Sequence, residues 1–162
     1  MTAEPAVKPT EELSNAIWSL GTLMILKSRT PELEVIEAHA LPGISPPVHR
    51  HDFGAESFYM LEGHVRFLVG DEELTCGPGD LVRVPPSTPH SFEVLDTPAR
   101  LLDIITPAGL WDFFVECGEP ATELRLPDAV RVPPDLAAIV ERYDGKVLGP
   151  PPFRTRQEPS AS

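Results

Sequence analysis

Eight short apolar stretches of strand length recur along the chain, at 22–27, 34–40, 57–61, 65–69, 73–76, 81–84, 91–95 and 101–105. Turn residues separate most of them, the pattern of consecutive β-strands. Several separators carry a physical signature. Glu62-Gly63, Gly70-Asp71, Gly77-Pro78-Gly79-Asp80 and Pro85-Pro86-Ser87-Thr88-Pro89 draw on glycine, which takes positive φ freely, and on proline, which fixes φ. Many short strands with frequent turns predict an all-β sandwich or closed barrel. After Thr106 the period changes. Leu110, Phe113, Phe114 and Cys117 fall on one helical face, Thr106 can cap that helix with Pro107 in its first position, and Gly118 stops it. A second short helix is expected from about Pro134 to Tyr143, ending at Asp144-Gly145. The implied organisation is an N-terminal arm at 1–13, a β-barrel at 14–106, a C-terminal helical extension at 107–149 packed on the barrel, and a flexible tail at 150–162.

Composition narrows the function. The 162 residues fit one domain, and no internal repeat argues for a tandem pair. With 13 Lys+Arg against 25 Asp+Glu the formal charge is −12, which repels nucleic acid and anionic lipid, so neither is an expected partner. No segment approaches the run of about 20 apolar residues that crosses a bilayer, and no basic-plus-apolar leader is visible, which points to a cytoplasmic protein. Twenty prolines against eleven glycines suit strands punctuated by turns. Cys76 and Cys117 lack metal-type spacing and read as buried thiols.

The candidate chemistry lies in Gly43-Ile-Ser-Pro-Pro-Val-His49-Arg-His51-Asp-Phe-Gly-Ala-Glu56 and in the segment that ends at His90. Residues two apart on a strand face the same side, so His49 and His51 present two imidazoles to one point. Glu56 is an odd number of positions from both and would face away on a straight strand, but Gly54 lies between and permits a bend. Beyond the Pro-rich turn, His90 can come across from the first pair. Three imidazoles and a carboxylate suit one divalent transition metal: Fe, Ni, Co, Mn, Cu or Zn.

These residues resemble the cupin superfamily. Its first motif is matched at every fixed position by Gly43, His49, His51, Glu56 and Gly63, and its second by Gly79, Pro85 and His90, with Ser87 in place of a turn glycine and Val94 in place of an asparagine. The resemblance implies a cupin jelly-roll barrel (double-stranded β-helix) with one or two short C-terminal helices, and a metal held by His49, His51, Glu56 and His90. The C-terminal run from Thr106 also looks like small bacterial cupins grouped with quercetin 2,3-dioxygenase. Related cupins often pair through their sheets, which implies a homodimer.

Alternation from Glu56 puts Phe58 and Met60 on its face, and alternation from His90 does the same for Phe92 and Val94, so these four are candidate substrate contacts. Asp103, inside the apolar run 101–105, is a pocket group, a partner of the metal ligands or an outward-facing residue. Trp111, Phe113 and Phe114 could cover the barrel mouth, and His39 and His64 have no partner at ligand spacing. Three functions remain open. The first is a quercetin dioxygenase-like oxidoreductase that uses O2 on an aromatic or enolisable small molecule (a flavonol, polyketide or diketone), with Glu56 as catalytic base. The second is a non-redox polyketide cyclase or isomerase, and the third a small-molecule-binding protein without turnover.

Overall fold

The computed structural model describes residues 11–153. The described residues form twelve strands: β1 (Ala16–Ser19), β2 (Thr22–Thr30), β3 (Leu33–Ala40), β4 (Val48–His51), β5 (Ala55–Glu62), β6 (Val65–Val69), β7 (Glu72–Cys76), β8 (Leu81–Val84), β9 (His90–Val94), β10 (Ala99–Thr106), β11 (Gly118–Pro120) and β12 (Gly145–Gly149). Two short helices, α1 (Trp111–Glu116) and α2 (Leu136–Arg142), lie in the C-terminal third. The strands make two antiparallel sheets, one of seven in the order β11-β1-β2-β3-β10-β5-β8 and one of five in the order β12-β4-β9-β6-β7. This is the expected all-β jelly roll, and all eight expected strands are present. The terminal segments 1–10 and 154–162, parts of the expected arm and tail, lie outside the described residues.

Strict alternation drives the sandwich. In β3 and β10, and in β5 as far as Met60, every second residue is buried, so one face of the large sheet can pack on the small one. Between the sheets Phe58, Met60, Val65, Phe67, Val94 and Leu101 form one core. A second core, at the end where the helices lie, joins Met24, Ile36 and Ile105 of the strands to Trp111 and Phe113 of α1 and Ile139 and Val140 of α2. The C-terminal segment also supplies sheet edges: β11 pairs with β1, and β12 with β4.

The start of α1 differs from the sequence expectation. Thr106 continues β10, paired with Ala55, and the helix begins only at Trp111. Its cap is a residue distant in sequence. The Glu34 side chain, fully buried on β3, accepts hydrogen bonds at Oε2 from the Leu110 and Trp111 N–H groups, at 2.9 and 3.1 Å. A carboxylate at a helix N-terminus satisfies orphan donors and meets the positive end of the peptide dipoles. Arg29 joins the same junction, with Nε 3.3 Å from Glu34 Oε1 and a bidentate pair to Asp112 of α1.

Candidate metal centre

Three imidazoles converge from two neighbouring strands. His49 of β4 sits directly opposite His90 of β9, and His51 lies two residues along β4 on the same face. Each offers one ring nitrogen, and these three atoms lie within 4.8 Å of one another. Backbone carbonyls orient two of the rings: His49 Nδ1 is 2.7 Å from Pro47 O and His90 Nδ1 is 2.9 Å from Thr88 O. A ring that donates Nδ1–H to a carbonyl leaves its Nε2 lone pair free, the usual way a protein fixes a ligating histidine. The turn before His90 is tied to β4 as well, because the Ser87 N–H donates to His51 O at 2.8 Å. Ser87 takes φ of 59°, so serine here occupies the left-handed conformation that a turn glycine would take.

Glu56 arrives from the other sheet. The chain leaves the small sheet at His51, turns through 52–54 and enters the large sheet at Ala55, so the odd spacing between His51 and Glu56 no longer sets their relative direction. The requirement at Gly54 is close approach: a Cβ there would lie 2.4 Å from Thr106 O. The result is a buried carboxyl with Oε2 3.7 Å from His51 Nε2.

Burial sets the protonation of this cluster. It pushes His51 down to about 2, helped by the neighbouring His49 and His90, and His90 down to about 3, helped by His49. His49 is lowered by the same burial, against its bond to Pro47. All three rings are therefore neutral near pH 7, the form that ligates metals. Burial pushes the Glu56 carboxyl up to about 8. His90 Nε2 and Glu56 Oε2 are buried without a hydrogen-bond partner, although Glu56 lies outside the three-histidine group and approaches only His51. Buried polar atoms are seldom left so, and three convergent imidazole nitrogens form a donor set that fits a divalent transition metal.

Beside the cluster lies a cavity of about 440 Å³, bordered by His49, His51 and Glu56. Phe58, Phe92 and Asp103 also border it, whereas Met60 and Val94, at 0% and 1% exposure, face inward but sit in the core beyond it. Alternation gives the face a residue points to and not its depth along the barrel, which separates Phe58 from Met60. Phe113 and Phe114 of α1 line the cavity, while Trp111 packs in the second core without reaching it. The sequence reading missed Ile44, Leu136 and the pair Val130 and Val132, whose alternation in the loop between β11 and α2 was the available signal. His39 pairs with Glu37 at 2.8 Å and His64 packs over Gly77, so neither joins the cluster.

A family model described as the cupin domain matches residues 37–105, a span that contains all four candidate ligands. The chain is 31% identical over 72 residues to quercetin 2,3-dioxygenase of Bacillus subtilis, covering 44% of this chain and 21% of that protein. Residues 37–105 of this chain are a cupin domain. An uncharacterised protein of Methanocaldococcus jannaschii is 31% identical over 67 residues, covering 41% of this cupin and 54% of that protein. The cupin thus spans about a fifth of the first relative and about half of the second. Among solved structures, an RmlC-like cupin from Shewanella frigidimarina superposes with a TM-score of 0.59 at 23% identity, over 68% of this chain and 96% of that one. That likeness concerns the fold. Among the described residues no helix of this cupin is long and apolar enough to cross a membrane.

Proposed function

We propose that this cupin is a metal-dependent dioxygenase whose substrate is a planar, largely apolar small molecule bearing an acidic hydroxyl or enol, as in a flavonol, polyketide or diketone. The observation that carries this reading is the convergence of three neutral imidazole nitrogens, within 4.8 Å of one another, beside an apolar cavity that also holds the unpartnered Glu56 carboxyl. His49, His51, His90 and, at rest, Glu56 would hold the ion. When bound, the ion would supply Lewis-acid polarisation of a substrate oxygen and, if redox-active, electrons for chemistry with O2. The remaining work falls to the chain. Phe58 and Phe92 stack against the substrate body, and Phe113 and Phe114 keep water from the reacting end. Glu56, held as the carboxylate by a bound cation, would take the proton of the acidic hydroxyl onto Oε2, which has no hydrogen-bond partner among the described residues. The resemblance to quercetin 2,3-dioxygenase over 72 residues supports the same reaction class.

The test combines metal analysis with oxygen-electrode assays over flavonols, polyketides and diketones. The expected result is about one transition-metal ion per chain, lost in His49→Ala and His90→Ala, and oxygen uptake with at least one substrate class. Equal metal in the wild type and both variants would remove the site. Full turnover with zinc and no oxygen uptake would instead assign a cyclase or isomerase that uses the same base.

A further inference from the structure

Three carboxyl side chains are buried near the second core, and their surroundings differ. Glu34 accepts two N–H groups of α1 and faces Arg29. Glu56 faces His51 and the imidazole cluster. Asp103 has no counterpart to either. It is 6% exposed on the inward face of β10, between Leu101 and Ile105, opposite Phe58 of β5 and Ile36 of β3. Its Oδ1 is buried with no hydrogen-bond partner, and it borders the cavity beside Phe58, Phe92 and Leu101.

An unpaired carboxyl in such a wall costs stability and makes no structural contact in return. Its complement must then come from whatever fills the cavity. No cationic side chain among the described residues pairs with Asp103, and an isolated carboxyl buried in an apolar wall is held as the neutral acid. A neutral carboxyl offers one O–H donor and a carbonyl acceptor, which matches a hydroxyl, itself donor and acceptor; an ammonium offers donors only and calls for an ionised partner.

We propose that Asp103 is a specificity-determining residue that hydrogen-bonds a neutral hydroxyl on the apolar body of the substrate, distinct from the oxygen directed at the histidines. The substrate is then a bifunctional aromatic, a polyphenol or hydroxylated polyketide rather than a simple diketone. This rests on the reading that the cavity takes an aromatic molecule, and it concerns a substrate hydroxyl other than the one that reacts.

A matched set of probes separates the terms: 2-methylnaphthalene, 2-naphthalenemethanol and 2-naphthylmethylammonium. Their binding to the full chain is measured by calorimetry for the wild type, Asp103→Asn and Asp103→Leu, as purified and after chelation. The wild type should bind the alcohol about fivefold or more tightly than the hydrocarbon, the scale of one net hydrogen bond. Asp103→Asn, which keeps a donor and an acceptor, should retain that preference. Asp103→Leu should reduce it to less than twofold while melting at the same or a higher temperature, because the unpaired carboxyl is gone. An unchanged preference in Asp103→Leu, tighter binding of the ammonium, or failure of the wild type to bind either neutral probe would overturn the proposal. So would loss of the fold in Asp103→Leu, which would make the carboxyl structural. The chelated samples set this apart from the dioxygenase reading, whose failure would show in metal content and oxygen uptake and leave these affinities in place.

Discussion

His51 and Glu56 face each other at 3.7 Å across two different sheets, and burial moves their protonation in opposite senses. In the metal-free chain this gives a pH profile with two separate limbs. His51 and His90 fall from 6.5 to about 2 and about 3, so their contribution to stability is complete above 6.5 and is lost as pH falls through the folded values. Glu56 rises from 4.5 to about 8, so its contribution is complete below 4.5 and is lost as pH rises through 8. Thermal melts of chelated protein should therefore lose midpoint temperature as pH falls below 6.5, where the histidines must charge, and again as pH rises above 6.5, where the buried carboxyls Glu56 and Asp103 must ionise. Glu56→Gln should shrink the alkaline limb to the part Asp103 contributes and spare the acid one. A bound divalent ion favours the Glu56 carboxylate and should shrink the alkaline limb in the wild type likewise. The same variant probes chemistry. Three imidazoles can retain the ion without the carboxylate, whereas proton transfer by a positioned base is worth about 10²–10⁴ in rate. Glu56→Gln should keep most of its metal yet lose about a hundredfold or more in kcat. Loss of metal in proportion to activity would make Glu56 a plain ligand.

Helix α1 has six residues, too few to form alone, and it is held by its cap and its packing. Glu34→Ala would leave the Leu110 and Trp111 N–H groups without their acceptor, Arg29 without its buried partner and a void in the core. Its cost should be about 3 kcal/mol in urea unfolding, and Glu34→Gln, which keeps an acceptor, should cost about 1 kcal/mol. Because Phe113 and Phe114 line the cavity, Glu34→Ala should also raise KM more than it changes metal content. The Pro-rich turn offers the opposite case. Ser87 holds φ of 59°, a conformation that costs an L-residue about 1 kcal/mol relative to glycine. Ser87→Gly should raise stability by up to that amount, read as a shift of the urea midpoint at constant slope. The sequence marked Ser87 as the departure from a glycine turn, but it pointed to Thr106 for the α1 cap. A local capping pattern carries no information about a carboxylate that arrives from β3.

For the whole molecule, metal binding and folding are one equilibrium, because only the folded sheets bring β4 and β9 together. An ion present at a thousand times its Kd would stabilise the fold by about 4 kcal/mol, on the order of 10 °C in Tm for a domain of this size. Chelation should lower the melting midpoint by that much and re-addition of metal restore it; an unchanged midpoint would mean that the cluster binds nothing. Local sequence pattern suffices for the eight central strands, their turns, the second short helix and the placement of His49 and His51 on one face. These follow from periods of two or about 3.6 residues and from the φ preferences of glycine and proline, all of which act over a few positions. The rest comes from packing between distant segments. It brought Glu56 in from the other sheet, gave α1 its cap from Glu34, set Met60 and Val94 beyond the cavity and left Asp103 inside it without a partner. It also lined the cavity with Val130, Val132 and Leu136, from a segment flanked by β11, which pairs with β1, and by β12, which pairs with β4. Periodicity fixes the side of a strand a residue faces. Depth along the barrel and the choice of a distant partner are set by packing between segments far apart in the chain, and no local pattern encodes them.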